Sequence, residues 1–298
     1  MMLDLAMKIG ILTRNPQAWC NLQLKQAMVK LGVTPVCFSF KDVMGTIGLG
    51  AGVTLNGKPI EGELSAVIVR PIGSGSLEQI ILRVDLLKAM EYLGVKVVNR
   101  GEAIEKAVDK YYSLLLLDRS GIPVPATIAT ESYGEALKGY KMLGKDTVLK
   151  PIFGSRGVGV ARVEVDDVAV RIFRLLSSQR SVIYLQSYIP HGFSDIRAFV
   201  IGDRVVAAAR RVSSYWKTNV AQGAWTKPVK LTPELEEAAI KSASVLGCEV
   251  AGVDIMVSRD GFFVNEVNSQ PDWRGLQSTT NINIAEEIIR YVLSELRG

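Results

Sequence analysis

Two carboxylates and an amide near the C-terminus have the types and spacing to hold a divalent cation. Asp254 sits in the apolar run from Val250 to Val257, and Glu266 and Asn268 follow in Gly261-Phe262-Phe263-Val264-Asn265-Glu266-Val267-Asn268. Side chains two apart on a strand share a face, so Glu266 and Asn268 point together. The turn residues Ser258-Arg259-Asp260-Gly261 predict a hairpin that lays Asp254 on the neighbouring strand. Neither acid has a basic neighbour in the sequence, and burying unpaired acids is costly. Oxygen ligands of this kind suit magnesium when substrate phosphates complete its shell. The bland alternative is a pair of satisfied polar groups at a strand end.

A second signal lies upstream, in Val148-Leu149-Lys150-Pro151-Ile152-Phe153-Gly154-Ser155-Arg156-Gly157-Val158-Gly159-Val160. A strand ends in a lysine, and a glycine loop leads into another strand. Glycines let backbone N–H groups approach phosphate oxygens, and the lysine adds a point charge for the same phosphates. The loop is neither a Walker loop nor a dinucleotide fingerprint, because the lysine precedes the glycines and no helix follows them. Alone it reads equally well as a plain hairpin. Together with the downstream acids it points to ATP and magnesium.

Composition bounds the remaining choices. The chain has 298 residues, 48% hydrophobic and 22% charged, which describes a soluble globular protein of two or three lobes. No apolar run reaches the ~18 residues of a membrane span, and the leading Met1-Met2-Leu3-Asp4-Leu5-Ala6 lacks the pattern of a signal peptide. Folding is expected to begin at Met7. Cys20, Cys37 and Cys248 have no metal spacing and read as reduced cytoplasmic thiols. A single histidine, His191, cannot build a triad or a zinc cluster and reads as a loop residue. The net charge of +5 is spread along the chain, without the basic runs that mark nucleic-acid binding, and suits an anionic small molecule.

The elements that must position these residues follow from periodicity. Strands are predicted at 8–12, 34–40, 66–70 and 95–99, with helices at 19–31 and 77–93 and a hairpin around Asn56-Gly57. This is a parallel α/β layer. A helical connector spans 101–120 and stops at Gly121. A smaller mixed lobe follows, with the glycine loop and a helix at 168–177. The last lobe carries strands at 196–201, 204–211, 250–257 and 262–267, with helices at 233–246 and 284–296.

These pieces together resemble the RimK-type branch of the ATP-grasp superfamily, over nearly the whole chain. The resemblance rests on Asp109-Lys110, the lysine–glycine segment, Gln186-Ser187-Tyr188-Ile189, Ser194-Asp195-Ile196-Arg197, Val205-Val206-Ala207-Ala208 and Arg210-Arg211. It continues through Trp216-Lys217-Thr218-Asn219, Ala251-Gly252-Val253-Asp254 and Asn265-Glu266-Val267-Asn268. It implies a three-lobed fold: an N-terminal parallel α/β domain at 1–104, a central α+β lid at 105–185 and a C-terminal subdomain at 186–298.

The resemblance also implies roles. Lys110 and Lys150 would contact the nucleotide phosphates, under a lid formed by Gly154, Ser155, Gly157 and Gly159. Gln186, Ser187 and Tyr188 would form the hinge that reads adenine through backbone groups. Asp195 would lie near ribose or phosphates, and Lys217, Thr218 and Asn219 beside the triphosphate. Asp254, Glu266 and Asn268 would hold magnesium or manganese. Two departures stand out: Ser187 occupies a hinge position where many members carry Glu, and Val220-Ala221-Gln222-Gly223-Ala224 lacks the basic residue of the ribosomal-protein ligases.

The implied reaction joins a carboxylate to an amine through an acyl phosphate. Lys150 would act in phosphoryl transfer, and Arg197 or Arg211, ahead of Arg210, would stabilise the tetrahedral anion. Arg70 is a weaker candidate for binding a carboxylate substrate, and Ser76 reads more readily as a helix cap than as an anion site. The stretch Gln270-Pro271-Asp272-Trp273-Arg274 is most similar to archaeal-type members. That similarity implies L-glutamate added to a small-molecule acceptor such as tetrahydromethanopterin. A deazaflavin coenzyme, a carrier protein or a ribosomal protein tail are alternative acceptors, and an ATP-grasp phosphotransferase is the alternative class. The resemblance leaves a homo-oligomer open.

Overall fold

The computed structural model describes residues 7–50, 52–154, 157–218 and 223–297. Its first layer is a parallel sheet of Lys8–Leu12, Thr34–Phe38, Ala66–Val69 and Lys96–Val98, with Lys8–Leu12 and Ala66–Val69 in the middle. Apart from Lys8, the two central strands are apolar and buried, as expected where helices cover both faces. Helices Trp19–Lys30 and Leu77–Tyr92 make the crossovers. The predicted hairpin joins Val53–Leu55 to Lys58–Pro59, with positive φ at both Asn56 and Gly57, as a tight two-residue turn requires.

Two expectations are corrected here. The strand predicted to reach Phe40 ends at Phe38, because Ser39 caps a short 3-10 turn at Phe40–Asp42. The single connector over 101–120 is two helices, Gly101–Val108 and Lys110–Arg119. Asp109 breaks them: its backbone is extended, and its carboxylate accepts the N–H groups of Tyr111 and Tyr112, each at 3.0 Å. Asp is a strong N-cap, so the break follows from side-chain competition for the helix amides. It also sets Lys110 at the first position of the second helix.

The middle of the chain forms an antiparallel sheet in the order Ala161–Val163, Thr147–Lys150, Ile183–Ser187, Thr127–Thr130. Helices Tyr133–Met142 and Asp166–Ser178 pack together over it through Tyr140 and Phe173, edge to face at 6.0 Å. The first of these helices, capped by Ser132, was not anticipated from sequence.

The last sheet is antiparallel, in the order Trp225–Pro228, Arg204–Val212, Ser194–Ile201, Val250–Ser258, Gly261–Asn268. Helix Pro233–Leu246 starts at a Thr232 cap and stops at Gly247, with φ 75°. This sheet shares a core with the first layer: Phe199, Trp273 and Ile288 join Ile9, Leu24 and Ile68 in one apolar cluster. Asn99 staples the two together, accepting the N–H groups of Glu249 and Val250 at 2.8 and 2.9 Å and donating to the Val250 carbonyl at 2.7 Å. Among the described residues no helix is long and apolar enough to cross a membrane.

Candidate active site

A solvent-open cleft separates the two larger antiparallel sheets. Strand ends and loops of the middle sheet bring Lys150, Gly154, Gly157 and Gln186 to one wall. The last sheet brings Asp195, Arg211, Asp254 and Glu266 to the other. Lys110, Lys217, Thr218, Ser187 and Tyr188 also line it. Arg197, Gly159 and Asn268 lie outside the lining, and Ser155 and Asn219 lie outside the described residues.

Lys150 is the centre of the first wall. Its Nζ donates to Gln186 Oε1 at 2.5 Å and to Asn265 Oδ1 at 2.9 Å. Gln186 is itself oriented by donating to Thr127 Oγ1 at 3.1 Å. Both acceptors are neutral. Burial therefore pushes the lysine pKa down to about 8, nearby Lys110 adds to the shift, and Glu266 and Asp254 oppose it. Two of three ammonium N–H bonds are engaged, leaving one for a ligand.

Asn265 opens the motif Asn265-Glu266-Val267-Asn268, and the resemblance implies no role for it. It reaches Lys150 because the strand pairing slips between Asp254 and Ile255: Asp254 faces Glu266, but Ile255 faces Val264. Asn265 is thus the extra residue of a β-bulge, which re-aims a side chain that strict alternation would send away. The sequence signal was two adjacent polar residues, Asn265-Glu266, interrupting a period-two apolar strand.

The expectation that Asp254 has no basic partner is overturned. Arg197 grips its carboxylate with Nε on Oδ1 and with Nη2 on Oδ2 at 2.9 Å. Arg211 Nη2 approaches the same Oδ2 at 3.0 Å. Arg211 also holds Asp195 through a two-pronged contact at 2.6 and 2.5 Å, and Thr218 donates to Asp195 at 2.6 Å. Sequence proximity hid this, since Arg197 and Asp254 are cross-strand partners 57 residues apart. Burial alone would raise the Asp254 pKa; Arg197 and Arg211 outweigh it and hold the carboxyl below its ordinary range. Burial likewise opposes charge on Arg211, and Asp254 and Asp195 more than offset it. Gly252 makes room for this grip, because a Cβ there would lie 2.5 Å from Arg197 Nη1.

The donor set fits one hard cation. Glu266 stands directly opposite Asp254 and lines the cleft. Asn268 donates its Nδ2 to the Gly252 carbonyl at 3.2 Å, which leaves its Oδ1 available. On Asp254 the arginines occupy three of about four acceptor directions, so it can offer one oxygen. Among the described residues no group of three or more His, Cys, Asp or Glu side chains could hold a metal. Two carboxylates and an amide match a cation completed by phosphate oxygens, as magnesium is.

Both outer lysines touch the glycine segment. Lys110 Nζ donates to the Gly154 carbonyl at 2.6 Å and Lys217 Nζ to the Val160 carbonyl at 2.7 Å. At the hinge, the Ser187 and Tyr188 amides are engaged by the Ala126 and Asp146 carbonyls, so neither is free for a base. Tyr188 lies under the Arg162 guanidinium, 3.7 Å from its ring centre. His191 is buried in the cleft wall, with Nδ1 3.0 Å from the Ser194 carbonyl.

A cleft between two antiparallel sheets, with a lysine and glycine segment facing paired acids, defines an ATP-grasp ligase, and the comparisons agree. The RimK-like ATP-grasp domain model matches residues 107–292, and the chain belongs to that family. It is 33% identical to the tetrahydromethanopterin:alpha-L-glutamate ligase of Methanococcus maripaludis, over 97% of this chain and 98% of the relative. It is 34% identical to a probable alpha-L-glutamate ligase of Pseudomonas fluorescens, over 96% of this chain and 95% of the relative. Among solved structures, the ATP-grasp ligase PsnB complexed with minimal precursor, Mg and ADP superposes with a TM-score of 0.77. That match has 20% identity and covers 98% of both chains.

Proposed function

We propose that this chain is an ATP-dependent α-L-glutamate ligase whose acceptor is a small-molecule acid of the tetrahydromethanopterin type. One observation carries the ligase chemistry: Lys150, Asp254 and Glu266 meet across a single cleft. The acceptor rests on the likeness to the methanogen ligase, which extends over both chains nearly end to end. The three free thiols support a cytoplasmic setting. We divide the chain at 104 and 185, so that the parallel layer, the lid and the C-terminal sheet form separate lobes.

In this reading the acceptor carboxylate takes the γ-phosphoryl group of ATP, and the amine of L-glutamate then displaces phosphate. Lys150 holds phosphate oxygens with its free N–H, while Gln186 and Asn265 fix its direction. Lys110 and Lys217 exchange their carbonyl contacts on the glycine segment for phosphates. Adenine is read at the strand end after Gln186, by carbonyls and by the next amide, that of Ile189. Glu266, Asn268 and one oxygen of Asp254 would hold magnesium, which would supply charge neutralisation at the phosphates. Arg197 and Arg211 act as positioning residues behind Asp254. Thr218 orients Asp195 at the cleft wall. The segment from Gly154 excludes water from the acyl phosphate.

The test is ADP release with ATP, magnesium and L-glutamate across a panel of acids, with mass spectrometry of the products. Tetrahydromethanopterin, a deazaflavin coenzyme and glutamyl peptides form the panel. A gain of one glutamate on one acid, dependent on both substrates, supports the reading. ADP release that ignores amines and follows a hydroxyl acceptor replaces it with phosphotransfer.

A further inference from the structure

Arg70 ends the central strand Ala66–Val69 at the seam between the parallel layer and the C-terminal sheet. It is 6% exposed, yet among the described residues no carboxylate pairs with it. Its guanidinium lies 4.9 Å from the Trp273 ring centre and donates once, from Nη2 to the Pro271 carbonyl at 2.9 Å. A buried, uncompensated cation is costly, and proteins keep one where an anion completes it.

Other donors gather beside it. Trp273 Nε1 and Gln270 Nε2 are buried and have no acceptor in the protein. Gln270 Oε1 faces the Ile72 amide at 3.4 Å, two residues from Arg70. Trp273 and Arg70 line one small cavity with Ser269 and Pro271 at the edge of the core, beside Leu24, Ile68 and Ile288. Beyond it, Arg83 holds the carbonyls of Ile72, Gly73 and Ser74, and Arg14 packs against Gly73. Arg70 and two unanswered N–H groups therefore lie at the C-terminal end of a parallel strand, where ligands of open α/β sheets bind, and two further guanidiniums contact the residues that follow it. Gln270 is two residues from Asn268, at most about 7 Å along the chain.

We propose that Arg70, with Gln270 and Trp273, forms a subsite for a free carboxylate of the ligase's substrate, remote from the phosphates. The proposal rests on the ligase reading and names where one acid group is recognised. A planar fork suits a carboxylate through two parallel bonds, which a lysine cannot reproduce.

The full-length protein and its Arg70→Met and Arg70→Lys variants test it in two ways. The first is ADP release, with separate KM values for ATP, L-glutamate and the acid acceptor. Arg70→Met is expected to raise one acid KM at least tenfold, Arg70→Lys by a smaller factor, and neither to move the ATP KM more than twofold. A rise for L-glutamate assigns the subsite to the amine-bearing acid; a rise for the acceptor assigns it there. The second is direct binding of glutarate without ATP, followed by tryptophan fluorescence, which Arg70→Met is expected to abolish. Unchanged acid KM values with unchanged glutarate binding overturn the proposal. So does a lowered melting temperature accompanied by equal losses for ATP and both acids. If the wild-type protein releases no ADP with any acid, the substrate reading fails, and glutarate binding still decides the subsite.

Discussion

Arg211 and Arg70 are equally buried, each 6% exposed, and their surroundings are opposite. Arg211 lies among carboxylates: Asp195 takes both prongs of its fork and Asp254 a third contact. Arg70 has a carbonyl and an indole face. The first guanidinium belongs to a closed network that fixes Asp254. Burial lowers the pKa of the second, and Cys20 and Asp272 offset this only in part. The difference teaches where a ligand is needed: a satisfied buried charge positions its neighbours, and an unsatisfied one awaits a partner.

The sharpest way to break this comparison is to remove each cation. Arg211→Met leaves buried Asp195 without a cation, and Asp254 with Arg197 alone, and is expected to cost about 3–5 kcal/mol in urea unfolding. Arg70→Met removes a charge that has no carboxylate partner, so its stability change should stay within about 1 kcal/mol. Equal losses would remove the distinction. Asp254→Asn should abolish ADP release while nucleotide binding, measured by calorimetry, persists through the lysines. Unchanged turnover would take Asp254 out of the mechanism.

Lys150 adds a pH test with two opposite signs. Its folded pKa is near 8, below the ordinary 10.5. The unfolded chain therefore holds more protons between those values, so this group's contribution to stability rises with pH across that window. Affinity for ADP without magnesium should fall across the start of the same window, as the ammonium is lost. Lys150→Arg should flatten the profile. Asn265→Asp sets a carboxylate against the ammonium and should move the inflection upward; an unmoved inflection would separate Asn265 from the lysine.

Smaller effects come from the supports. Gly252→Ala crowds Arg197 and should cost about 1–3 kcal/mol, with reduced kcat. Ser76 accepts the Gln79 amide in a reciprocal cap, so Ser76→Ala should cost about 1 kcal/mol and leave every KM unchanged. A raised acid KM there would extend the anion subsite from Arg70 to the next helix.

Much of the wall chemistry was legible because local rules govern it. Lys150 before a glycine run, Glu266 and Asn268 on one strand face, and a hairpin carrying Asp254 opposite them all follow from short-range geometry. The Asn56-Gly57 turn is equally local. The Asp109 break was missed because helical periodicity runs through it, while its cap depends on one side chain competing for two amides.

The sequence by itself determined most element types, the parallel first layer and many of the residues that line the cleft, because each depends on neighbours a few positions away. Tertiary structure alone decided the charges. Arg197 and Arg211 reach Asp254 only through strand pairing, and a register slip turns Asn265 toward Lys150. Arg70 is buried with no paired carboxylate among the described residues, against Pro271 and Trp273 from a distant part of the chain. Electrostatic partners are set by distance in space, and strand pairing and lobe packing fix that distance independently of separation along the chain.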